Sequence, residues 1–158
     1  MDQVTHAIQD YYPEDFAHCF GCGRMNEQGH QFRTGWDGDK TVTIYSPKEK
    51  HKAIPGFVYG GLIASLVDCH GTGSAALVKH RDNGLEPEDA EDAPRFVTGS
   101  LAVKYLKPTP QGVPLRAVGT HEKTEGKKIT IKVDVYAEDA LVVTGEVTAV
   151  EMPDTFKK

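Results

Sequence analysis

The chain has 158 residues, 39% of them apolar and 26% charged, the size and make-up of one globular domain rather than a disordered segment. Its net charge of −5, from 18 Lys+Arg against 23 Asp+Glu, argues against general nucleic-acid binding, which needs a surplus of cations. Three cysteines do not make a disulfide framework, and neither a signal peptide nor an apolar run long enough for a membrane span is read. The expectation is therefore a reduced, cytoplasmic protein with no nucleic-acid or membrane partner.

Residues 1–28 read as an irregular N-terminal segment containing the glycine-punctuated Cys19-Phe20-Gly21-Cys22-Gly23. One domain is expected over 29–152, with a tail at 153–158. Its first part, 31–45, reads as two strands about the turn signal Asp37-Gly38-Asp39. A polar loop with Lys48, Lys50 and Lys52 follows. Residues 60–79 carry apolar side chains on nearly every side of a helical wheel, which predicts a buried helix. Gly71 and Gly73 each weaken that helix by about 1 kcal/mol relative to Ala, so close packing must compensate. After a mobile acidic loop at 81–94, four strands are predicted at 95–106, 115–122, 127–138 and 141–151. In the third, Ile129, Ile131, Val133 and Val135 alternate with Thr130, Lys132, Asp134 and Tyr136, the pattern of an antiparallel sheet buried on one face. With no second helix to cover the first, the sheet must wrap it. The predicted class is α+β, a long central helix in a curved antiparallel β-sheet.

The stretch Pro55-Gly56-Phe57-Val58-Tyr59-Gly60-Gly61-Leu62-Ile63-Ala64-Ser65-Leu66-Val67-Asp68 resembles the signature of hotdog-fold acyl-CoA thioesterases of the phenylacetate-pathway (PaaI) type. In that signature a glycine pair opens an apolar helix bearing an Asp seven residues after the second Gly. Leu101-Ala102-Val103-Lys104-Tyr105-Leu106-Lys107-Pro108 is similar to the family's strand ending in Tyr-x-x-Pro. The cysteine-glycine turn with Asn26 also recurs at the head of some members. The resemblance covers residues 19–151 and implies a hotdog fold that hydrolyses a small or medium acyl or aryl thioester to free acid and CoA. Coenzyme A enters only as part of the substrate, with no cofactor. A homodimer or homotetramer with its site across an interface is implied. The alternatives are a hotdog hydratase or dehydratase, and a non-catalytic binder of acyl thioesters. Two departures stand out: Tyr59 replaces the family's His before the glycine pair, and Ala53, with His51 nearby, replaces an upstream Asn or Gln.

Thioester hydrolysis needs an activated water or a carboxylate nucleophile, and donors for the developing oxyanion. Gly60 and Gly61 at the helix start offer unpaired N–H groups and no side chain to keep a carbonyl away. Helical spacing places Gly61, Ser65, Asp68 and Thr72 on one polar stripe, which predicts a groove lined by Ser65 and Thr72. By analogy with the family, Asp68 is the general base or nucleophile and Thr98 the hydroxyl that orients water. His70 lies roughly 200° around the helix from Asp68. It is a catalytic candidate only toward a partner's groove, and otherwise a core histidine. Tyr59 could position the helix start or the substrate. Phe57 would suit the acyl group, and Lys104 and Lys107 the phosphates of coenzyme A. Cys19 and Cys22 form a lone C-x-x-C; His18, His30 or Cys69-His70 are conceivable further zinc ligands, but the paired spacing of a four-ligand structural site is missing, so the motif reads as a packed turn and no metal is expected.

Overall fold

The computed structural model describes residues 4–89 and 92–156. Residues 90 and 91 of the expected acidic loop, and 157 and 158 of the expected tail, lie outside the described residues. The apolar segment forms one helix, α1, spanning Gly60–Asp82, three residues longer than predicted. Its last turn carries Lys79, His80 and Arg81, which suit the negative end of the helix dipole. Arg81 is further held by an ion pair to Glu86 at 2.5 Å and by stacking on Trp36 at 3.7 Å. Gly84, with φ of +81°, then turns the chain away. By length and composition α1 could cross a membrane, which corrects the expectation that no segment could; 78% of that window is buried inside the protein itself.

The covering layer is a six-stranded sheet. Its strands are β1 (Thr34–Asp37), β2 (Lys40–Tyr45), β3 (Phe96–Tyr105), β4 (Leu115–Glu125), β5 (Lys128–Ala137) and β6 (Ala140–Glu151), in the order β1-β2-β4-β5-β6-β3. Every pairing is antiparallel. Ile129, Ile131, Val133 and Val135 of β5 turn inward as their alternation predicts, and meet Leu62, Ile63, Leu66 and Val67 of α1 in one core. Each such aliphatic side chain contributes about 1.5–3 kcal/mol on burial. This is the α+β hotdog architecture. β4 runs three residues past its predicted end because Lys123, Thr124 and Glu125 continue the β5 ladder in open solvent, where no buried face marks the sequence.

The N-terminal segment belongs to the same core. Two short 3-10 turns, Ile8–Tyr11 and Glu14–Phe16, bring Ile8, Tyr12, Ala17 and Cys22 against the helix and sheet. The two helix glycines find their compensation in close approaches. A Cβ on Gly71 would stand 2.4 Å from Val147 Cβ, and one on Gly73 would stand 2.6 Å from Gln9 Nε2.

Candidate active site

The helix start is fixed by the chain on both sides of it. Val58 N–H donates to the Thr109 carbonyl at 2.8 Å, and Tyr59 N–H donates to the His51 carbonyl at 3.0 Å. Tyr59 is the N-cap residue, without a side-chain cap. The Gly60 and Gly61 N–H groups consequently have no acceptor among the described residues. Tyr105 of β3 donates its hydroxyl to the Gly60 carbonyl at 2.7 Å, tying strand to helix tip. The exposed Tyr59 ring lies over Gly61, where a Cβ would come within 2.4 Å of it. Beside these glycines opens a largely apolar groove of about 460 Å³ lined by Ile54, Phe57, Ile63, Tyr105, Leu106 and Lys107.

Farther along the helix, the side not covered by the sheet exposes Gly61 and leaves Ser65 and Asp68 half-buried. Ser65 donates to the Gly61 carbonyl at 2.9 Å. Asp68 accepts a short hydrogen bond on Oδ1 from the Thr98 hydroxyl. Thr98 reaches it from β3 at a bulge between Thr98 and Ser100, where the strand register shifts. Burial raises the Asp68 pKa above the usual carboxylate value; the Thr98 hydrogen bond pulls it down by less. A half-buried carboxylate with raised basicity and one oxygen held is suited to taking a proton from water.

A family model described as "Thioesterase superfamily" matches residues 55–144, a span holding the glycine pair, Asp68, Thr98 and Tyr105. The chain belongs to the thioesterase superfamily. A solved superfamily protein from Shewanella loihica PV-4 is 40% identical over 88% of this chain and 97% of its own, with a TM-score of 0.67. Acyl-coenzyme A thioesterase THEM4 of Xenopus laevis is 27% identical over 110 residues, 70% of this chain and 43% of its own. The chain thus spans less than half the length of that curated relative. The E. coli PaaI protein from the phenylacetic acid degradation operon is 11% identical, with 78% of this chain and 81% of its own covered at a TM-score of 0.61, and shares the fold.

In this superfamily member the other site residues predicted from the sequence separate into two groups. Phe57 and Lys107 join Gly60 in the apolar groove, whereas Lys104 sits in a different depression, with Lys132 and Glu146. Thr72 is corrected out of the groove: it is buried and donates to the Cys69 carbonyl at 3.2 Å. For His70 the catalytic role toward a partner's groove is corrected, and the alternative of a core histidine holds. Fully buried, it accepts or donates to Thr43 at Nδ1 (2.7 Å) and Thr41 at Nε2 (3.1 Å). Burial lowers its pKa to about 3, so it is a neutral core imidazole. Gly119 makes room for it, since a Cβ there would stand 2.6 Å from Nε2.

Two groups escaped the sequence reading. Tyr105 had shown only as a strand-end tyrosine of the family pattern, and its hydroxyl on Gly60 could not be seen without the fold. The second is sulfur, where the sequence offers Cys69 as a conceivable partner of Cys19 and Cys22 but no spacing that joins them. Cys69, next to Asp68, brings its thiol to the Cys19-Cys22 turn, and the three Sγ atoms lie within 4.8 Å of one another. Nothing in the spacing marks this, because the contact crosses fifty residues.

Proposed function

We propose that the chain hydrolyses an acyl-CoA thioester, with Asp68 as general base toward water and the Gly60 and Gly61 amides as oxyanion donors. The observation that carries this reading is the Asp68–Thr98 pair, a base held on the open side of the same helix whose unpaired amides mark a place for developing negative charge. Water between the carboxylate and the thioester carbon loses its proton to Asp68, and the tetrahedral oxyanion is met by the helix tip. The thiolate of coenzyme A then leaves. The 460 Å³ groove suits a small or medium acyl or aryl group, and Lys107 at its edge suits a phosphate. A hydratase would need an imidazole opposite the acid, and His70 is engaged in the core. The free thiols accord with a reduced, cytoplasmic setting.

One chain does not complete this site. Gly61 and Asp68 are seven residues apart on a helix, roughly 10 Å along its axis. That is too far for both to act on one carbonyl. We therefore place each site between two copies, Asp68 of one facing the glycine pair of the other. β3 is the surface that would join them: it is a long edge strand, unpaired on its outer side, with Leu101 and Tyr105 exposed. Light scattering should return at least twice the chain mass of 17.3 kDa. A panel of acyl-CoA thioesters assayed by free-thiol release tests the reaction itself. Asp68→Asn should lower kcat/KM by roughly 10²–10⁴, the usual contribution of a positioned base, with the melting temperature kept. Unchanged hydrolysis in that variant refutes the assignment.

A further inference from the structure

The geometry points to a metal site of three thiolates, Cys19, Cys22 and Cys69, that takes one zinc-class ion per chain. A tetrahedral zinc–thiolate centre has Zn–S bonds of about 2.3 Å, which sets its sulfur–sulfur edges at about 3.8 Å. Here Cys19 Sγ and Cys69 Sγ are 4.0 Å apart, and no two of the three sulfurs are farther than 4.8 Å. The shifts needed to reach coordination are thus about 1 Å or less. No disulfide joins them.

The surroundings are shaped to hold these sulfurs together. Gly21 lies where any Cβ would come 2.3 Å from Cys69 Sγ, so only glycine lets the helix thiol reach the turn. Gly23 closes the turn, its N–H donating to the Cys19 carbonyl at 2.7 Å, and a Cβ there would strike the Cys19 backbone.

Charge and access fit as well. Arg95, half-buried, is bonded to the Phe16 and Phe96 carbonyls, set over the Tyr12 ring, and acts electrostatically on all three cysteines. Among the described residues it has no carboxylate within ion-pairing distance. Three thiolates around a divalent ion carry a net charge of −1, which the field of that guanidinium favours. Soft sulfur ligands select zinc or Cu(I) over magnesium or calcium. Cys22 and Cys69 are buried while Cys19 is partly open, which leaves an entry path and a fourth coordination position for water or a small thiol.

The test uses the reduced, metal-free full-length chain titrated with Co²⁺ under anaerobic conditions. One equivalent should bring up a sulfur-to-cobalt charge-transfer band in the near ultraviolet and the strong visible bands of a tetrahedral ion. Zn²⁺ should then abolish both. Cys69→Ser and Cys22→Ser should each weaken binding by at least about tenfold, a loss that even an outer-shell partner's removal produces. Circular dichroism checks that each variant is folded, and the wild-type spectrum decides the matter if one is not. A wild-type chain that shows no charge-transfer band overturns the proposal. So does a band that survives intact in a folded Cys69→Ser variant, since the ion would then sit on the surface turn or on histidines.

Discussion

Gly71→Ala sets two opposing effects of known size against each other. In a solvent-exposed helix the change stabilises by about 1 kcal/mol, because glycine has more backbone freedom to lose. In α1 the new methyl would meet Val147 Cβ at 2.4 Å and its two methyls at 2.5 and 2.6 Å, well inside ordinary contact. Rotating Val147 gives no relief, since its own Cβ is among the clashing atoms. Nor can β6 retreat alone, because Val147 pairs with Ile131 on one side and Leu101 on the other. Helix and sheet must part by about 1 Å, and overpacking of this kind costs roughly 3 kcal/mol, the upper part of its usual range. The net expectation is about 2 kcal/mol of destabilisation. In a domain of this length that lowers the melting temperature by about 4–8 °C. Urea unfolding followed by the fluorescence of Trp36, the single tryptophan, measures it. Hydrolysis should fall as well, since Asp68 lies one turn away and its hydrogen bond to Thr98 bridges the same two layers. A stabilised Gly71→Ala protein would show that α1 does not lie this close to β6, and would refute the reasoning.

Three further predictions concern the site. Thr98→Val removes the hydroxyl from Asp68 and should lower kcat by roughly tenfold or more, with little change in KM; an unchanged kcat would show the hydrogen bond to be irrelevant to the reaction. Gly61→Ala should leave stability near wild type, because the Tyr59 ring it strikes is exposed and can swing aside, while hydrolysis drops as the methyl crowds the amide. Activity equal to wild type would remove Gly61 from the oxyanion site. His70→Leu should cost about 1–3 kcal/mol through its two lost hydrogen bonds and leave kcat intact, as urea unfolding and thiol-release assays will show; a collapse of kcat at full stability would return His70 to the chemistry.

The helix was legible because its apolar residues surround it, and β5 because its alternation is clean. The glycine pair and Asp68 were legible as polar or small positions interrupting an apolar stripe. What could not be read is which parts of each face find a cover. Thr72 shares the stripe by helical angle, yet it is buried and turned onto the Cys69 carbonyl. His70 faces the sheet, where Thr41 and Thr43 of β2 happen to meet both ring nitrogens. Cys69 is a conceivable partner of Cys19 and Cys22 by residue type alone, until the fold brings the turn to it. The His70 and Cys69 contacts join residues far apart in the chain, and periodicity along one element carries no record of them.

The order of elements also bears on how the molecule is made. α1 precedes β3, β4, β5 and β6, the strands that cover it. At a ribosome the greasy helix emerges first, and each of those four strands is translated before it can be fully sheathed. Through that interval the nascent chain presents a hydrophobic surface of bilayer-spanning length, the kind of target that holding chaperones recognise and that drives self-association when they are scarce.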